Sequence, residues 1–189
     1  MSELKTQQKI LNGVNVDGLV QTIDAIKDDS SIAKFNFRAK NQWINGGENK
    51  TTVSDFYGAG RTHVRIKPFV FTKDEPPVLL GTDQGANPVE YALTALAGCV
   101  TTTLVYYAAA KGVKINKVES TLEGDIDLRG LLDIDDNVTS GYESIQITFK
   151  IDSDAPEETL HELIEIAKKH SPVCSTIRNA TPVNISLSK

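Results

Sequence analysis

The 189-residue chain is sparing with cysteine, methionine and tryptophan: two, one and one. Two cysteines set far apart, Cys99 and Cys174, exclude a disulfide-rich mini-scaffold. Runs of lysine and arginine are missing too. Twenty basic against 25 acidic residues leave a net charge of −5. That balance, with no basic patch, excludes a nucleic-acid footprint and a polybasic membrane anchor. There is no internal repeat, no phosphate-cradling glycine loop, no GxSxG and no HExxH. Residues 1–8 are polar, without the apolar run of a signal peptide, so a cytoplasmic protein is expected. The sequons at Asn49, Asn137, Asn179 and Asn184 then carry no glycan, and the cysteine pair reads as reduced, catalytic or redox-sensing. What is present, 40% hydrophobic and 24% charged residues, is the make-up of a globular chain and excludes disorder.

Residues 4–28 place Leu19, Val20, Ile23 and Ile26 at helical spacing, which predicts an N-terminal helical appendage over residues 1–32, ahead of a main domain at 33–189. From Ala33 the period falls to two. Phe35, Phe37 and Ala39 alternate with polar residues, and Asn45-Gly46-Gly47 predicts a turn into a second strand at 51–56. Val64 and Ile66 continue the alternation before Pro68. Pro76, Pro77, Gly81 and Gly85 mark residues 72–85 as a loop.

Asn87-Pro88 opens a long helix, asparagine as N-cap and proline at the first helical position, and Gly112 closes it. Residues 91–110 carry no charge, a length that would span a bilayer. Thr94, Thr101, Thr102 and Thr103, many small alanines and the lack of basic flanks favour a buried central helix, covered on every side. Beyond it the pattern predicts a strand over 113–128, an acidic loop at 129–141 and a strand through Ile145, Ile147, Phe149 and Ile151. A helix capped by Asp154 with Glu157 follows, then a short one started by Ser171-Pro172. Val183, Ile185 and Leu187 predict a last strand. Strands first, then helices interleaved with strands, make the fold class α+β.

Cys174 falls in the first turn of the helix that Ser171 caps, where free N–H groups and the helix dipole favour a thiolate. A small buried apolar residue is the equal alternative. Cys99, mid-helix, has nothing local to activate it. Gly98 beside it costs about 1 kcal/mol relative to alanine in a helix, which predicts a close neighbour there. His161, His170 and the two cysteines match no structural zinc spacing. Residues 133–144 have Val138 and Ser144 where a calcium loop needs glycine and glutamate.

Gly85-Ala86-Asn87-Pro88, the Ala/Leu-rich helix to Ala97-Gly98-Cys99 and the distant Ser171-Pro172-Val173 start resemble the OsmC/Ohr family of osmotically inducible and organic hydroperoxide resistance proteins. The resemblance implies curved, mostly antiparallel sheets around a long buried central helix, in an intertwined homodimer with sites between subunits. It also implies reduction of organic hydroperoxides by a cysteine pair. Cys99 matches the peroxide-reacting position, Cys174 would resolve, and a dithiol such as a lipoyl group would restore both thiols. Glu90 and an arginine, Arg65 among the candidates with Arg61 and Arg38, would assist. The family's Asn-Pro-Glu reads Asn87-Pro88-Val89 here, and its Cys-Pro-Val reads Ser171-Pro172-Val173. The second expectation, from another class, is a noncatalytic module holding an apolar or acyl ligand in the intersubunit pocket. Neither reading calls for a metal, a bound cofactor, a nucleic acid or a membrane.

Overall fold

The strand and helix patterns are realised in a computed structural model that describes residues 8–188. Residues 1–7, at the head of the expected appendage, and Lys189 lie outside the described residues. In chain order the elements are β1 (Ile10–Leu11), β2 (Val14–Asn15), α1 (Val16–Asp28), β3 (Asn36–Phe37), β4 (Lys40–Asn45), β5 (Glu48–Gly58), β6 (Arg61–Lys73), α2 (Pro88–Ala110), β7 (Lys117–Asp125), α3 (Leu128–Leu131), β8 (Ser144–Asp152), α4 (Glu157–His170) and α5 (Pro172–Arg178). Contacts divide the described chain into two units. The first holds Asn15–Ala92; the second holds Ile10–Val14 and everything from Leu93 on.

In the first unit the helix starts later than its periodicity suggests, at Val16. Asn15 caps it by accepting from the Gly18 N–H at 2.9 Å. The hairpin turn falls at Gly46-Gly47, between β4 and β5. β5 lies in the middle of an antiparallel sheet, with β3 and β4 along one edge and β6 along the other. β6 runs through Pro68 because the register shifts opposite Val53 and Asp55, and an edge strand tolerates a residue without an N–H. Rings ladder along this sheet: Phe37 stacks on Phe56 at 5.5 Å and Phe56 on His63 at 4.8 Å.

The second unit is built on α2. Asn87 and Pro88 start it as predicted, and Gly112 ends it at φ +75°, where a side chain would be strained. Leu96, Val100, Leu104 and Ala108 recur every four residues and pack with Leu163 and Ala167 of α4. Leu104 is wholly buried, which stabilises the unit by about 2 kcal/mol. β7 and β8 pair antiparallel over nine residues. Leu122, Ile145, Ile147 and Phe149 face the core, while Glu119, Thr121, Gln146 and Thr148 face outward.

Four expectations are corrected. β7 is shorter than 113–128, since Asp127 accepts from the Arg129 N–H and turns Leu128 into α3. α4 starts at Glu157 behind Pro156, not under an Asp154 cap, because Ser153 Oγ takes up the Ala155 N–H in the preceding turn. The last strand does not form: residues 181–188 belong to no sheet or helix, and Val183, Ile185 and Leu187 are 77%, 93% and 94% exposed. An isolated strand has nothing to satisfy its backbone, so alternation alone does not make one. Finally, α2 is not covered on every side within the chain, since Tyr106 and Tyr107 remain partly exposed, although it is long and apolar enough to cross a membrane by length and composition.

Candidate functional site

The two cysteines stand on two helices, Cys174 at the start of α5 and Cys99 in the middle of α2. Ser171, fully buried, caps α5 by accepting from the Cys174 N–H at 3.4 Å, and proline at the first position fits the missing donor. Cys174 is thereby fixed in the first turn, buried among Leu96, Val100, Leu163 and Ala167. Cys99 is partly exposed in mid α2, its carbonyl accepting from the Thr103 hydroxyl at 2.8 Å. Both thiols are free.

A cavity of about 500 Å³ opens in the second unit over Cys174. Leu96 and Val100 of α2, Ile147 and Phe149 of β8 and Ile164 of α4 make its wall apolar, with Lys168, Arg178 and Glu143 as its charged groups. The α2 residues on this wall sit three before and one after Cys99, and Cys99 itself is not on it. Among the described residues the close neighbour expected at Gly98 is absent: a Cβ there would meet nothing within 4 Å.

In the first unit the segment leading into α2 is tied by a residue that sequence reasoning passed over. Asp74, 1% exposed, accepts from the Thr82 hydroxyl at 2.7 Å and from the backbone N–H groups of Glu75, Thr82 and Gln84 at 2.8, 3.0 and 3.2 Å. The Thr82 hydroxyl, with those amides and against desolvation, lowers its pKa to about 2. A signal existed: an aspartate before Pro76-Pro77 and Gly81, where a loop leaves N–H groups without a ladder. Gly81 is required there, since a Cβ would lie 1.8 Å from the Glu75 carbonyl oxygen.

Glu75 in turn accepts from the Asn87 side-chain amide. Asn87 Oδ1 accepts from the Val89 N–H at 2.9 Å, and the Glu90 carboxylate accepts from the Asn87 N–H at 2.8 Å. This is a capping box, Glu90 at its third helical position. The Glu90 carboxylate expected to assist catalysis is therefore engaged in capping. Arg65 lies on β6 with its guanidinium 5.3 Å from the ring centres of both Phe56 and Phe69. Its buried Nη1 finds no hydrogen-bond acceptor among the described residues. Arg38 pairs with Asp55 at 3.2 Å, and Arg61 is exposed at the start of β6. His170 stacks on Tyr107 at 5.5 Å. Among the described residues no three His, Cys, Asp or Glu side chains gather closely enough to hold a metal ion.

The sequence model of the family described as OsmC-like protein matches residues 81–186, more than half of the chain. Among solved structures, an OsmC-like protein from Mycoplasma pneumoniae is 20% identical, with a TM-score of 0.58 over 76% of this chain and 87% of that one. An organic hydroperoxide resistance protein from Legionella pneumophila is 17% identical, with a TM-score of 0.54 over 76% and 89%. At such identities the likeness is one of fold. No curated protein matches the sequence.

Proposed function

We propose that this chain, which belongs to the OsmC-like family, reduces organic hydroperoxides with its two thiols and serves in defence against peroxide stress. The observation that carries the reading is a thiol, Cys174, held by Ser171 in a helix first turn beside an apolar cavity whose wall includes Leu96 and Val100, the α2 residues that flank Cys99. The name of the Legionella relative, a hydroperoxide resistance protein, supports the same chemistry.

The Cys99 thiolate attacks the terminal peroxide oxygen. The O–O bond breaks, an S–O bond forms, sulfur loses two electrons, and the alkoxide takes a proton and leaves as the alcohol. The Cys174 thiol then attacks the sulfenic sulfur and expels water, forming a disulfide. An external dithiol, such as a lipoyl group, returns both thiols by exchange. Arg65, whose buried Nη1 is unspent on any described acceptor, is the arginine we assign to the developing negative charge. Glu90 acts through Asn87, positioning the start of α2. The chain works as a homodimer in the cytoplasm, with the exposed faces of α2 meeting at its centre.

Intact-protein mass spectrometry, before and after one equivalent of an alkyl hydroperoxide with a sulfenic-acid trap present, tests the reading. The expected result is loss of about 2 Da with a Cys99–Cys174 disulfide peptide. Cys174→Ser should instead accumulate the trapped sulfenic acid at Cys99. Two unchanged thiols in the wild-type protein would overturn the proposal.

A further inference from the structure

The cavity over Cys174 holds about 500 Å³, within the roughly 300–1,000 Å³ of sites that enclose a whole small molecule. It belongs to the second unit alone, since every residue on its wall lies beyond Leu93. On the β8 side Ile145, Ile147 and Phe149 line it at every second residue, an apolar run of about 13 Å. Leu96, Val100 and Ile164 face it from the helices. A slot that is apolar on both sides over such a length suits an unbranched chain better than a compact polar molecule.

The charges on the wall are unequal. Lys168 and Arg178 line it from α4 and α5, against one acid, Glu143. Arg178 Nη1 donates to the Lys168 carbonyl oxygen at 3.5 Å, which ties the end of α5 to the last turns of α4 and brings the two cationic residues together. Both are exposed. Lys168 leans on Glu165 at 3.4 Å, a solvent-exposed pair that holds it weakly. None of the described ion pairs includes Arg178. A guanidinium carries five N–H donors in a planar fork, and a single carbonyl leaves most of that fork for a carboxylate. An apolar slot with two adjacent cations at its mouth is complementary to one chemistry, an apolar tail with an anionic head.

We propose that this cavity binds a single-chain carboxylate amphiphile, its tail along Ile145, Ile147 and Phe149 and its head on Arg178 and Lys168, and that the bound ligand restrains the second thiol. Cys174 is on the cavity wall and Cys99 is not. A chain seated there lies against Cys174 and leaves Cys99 open to peroxide. The ligand then acts as a brake on disulfide formation: the sulfenic acid at Cys99 forms but waits for its partner thiol. The site itself stands on the cavity and its two cations. Only the brake rests on the two-thiol reading of the preceding section.

The test titrates dodecanoate into the full chain by calorimetry. Saturable binding at one site per chain is expected. The double variant Lys168→Gln/Arg178→Gln, at two exposed positions, should raise Kd at least about tenfold. Dodecyltrimethylammonium, with the same tail and the opposite charge, should bind at least about tenfold more weakly than dodecanoate. Dodecanoate carrying a diazirine in its chain should label peptides from residues 144–149 and 160–178 on illumination. With saturating dodecanoate, one equivalent of an alkyl hydroperoxide should leave a trapped sulfenic acid at Cys99 where the unliganded chain forms the disulfide. No saturable binding below about 1 mM, equal affinity for the two head groups, or labelling confined to other peptides would overturn the site. A disulfide that forms undiminished with the ligand bound would overturn the brake. An unliganded chain that forms no disulfide would remove the two-thiol reading and the brake together, while the titration and the labelling still judge the site.

Discussion

The two units use apolar residues in opposite ways. In the second, Leu104, Ala108, Leu163 and Ala167 are sealed from water by α2, α4 and the β7–β8 pair. In the first, Val16 is the one apolar residue classed as buried among those described, while Phe35, Phe37, Val64, Phe69 and Val70 stay in solvent along the sheet. Its order comes from another source: a ladder of stacked rings, the carboxylate of Asp74 with four donors, and the capping network around Asn87. Composition is similar in both, so hydrophobic content does not say where a core forms. A core needs two layers with facing apolar surfaces. The first unit offers one layer, and its open face is the kind of exposed apolar surface that marks an interaction site.

The largest effect that would sharpen this contrast is expected in the second unit. Leu104→Ala should lower its unfolding free energy by about 3 kcal/mol, the range for a leucine cavity, whereas Val64→Ala on the exposed sheet should change it by less than about 0.5 kcal/mol. Urea unfolding at nanomolar protein, where association is suppressed, separates the two. Equal losses would break the comparison.

Acid should act first on the other side of the contrast. The Asp74 carboxyl is held to about 2 in the folded chain against 3.8 for its ordinary value. The folded value lies below the unfolded one, so its contribution is full above pH 4 and fades as pH falls from about 4 through 2. Asp74→Asn should therefore lower the melting temperature at pH 7 and shrink the difference from wild type toward pH 2. A gap that stayed constant with pH would show that the carboxylate charge is irrelevant there.

The smallest expected effect concerns Gly98. With nothing within 4 Å of a Cβ there, Gly98→Ala should stabilise the dilute chain by up to about 1 kcal/mol, the helix-propensity difference. At micromolar concentration the proposed dimer puts a partner against this helix, and the variant should lose its advantage. Stability measured at the two concentrations reads the difference directly.

Much of the fold was legible because local rules and packing agree there. Asn87-Pro88 and Gly112 bound α2 in both readings, Ser171-Pro172 starts α5, the run around Phe149 is a strand, and the strand read at 51–56 lies inside β5. The cap that holds Cys174 was legible in Ser171-Pro172, while Cys99 was singled out by family resemblance alone. Asp74 was not, because a buried carboxylate is recognised by the donors that converge on it, and Thr82 and Gln84 reach it only once the loop closes. Glu90 was read for catalysis, while its carboxylate closes the cap of the helix on which it stands. Asp154 was assigned a cap that the turn at Ser153 made unnecessary.

The residues at 183, 185 and 187 mark the boundary between the two kinds of information. Their alternation is a property of the sequence, as are the uncharged length of α2 and the cap at Ser171, since each depends only on side chains a few positions apart. Whether an alternating segment becomes a strand depends on a neighbouring backbone that can take its hydrogen bonds. That neighbour, like the donors around Asp74 and the apolar wall around Cys174, exists only in the tertiary structure, where residues distant in the chain are brought within reach.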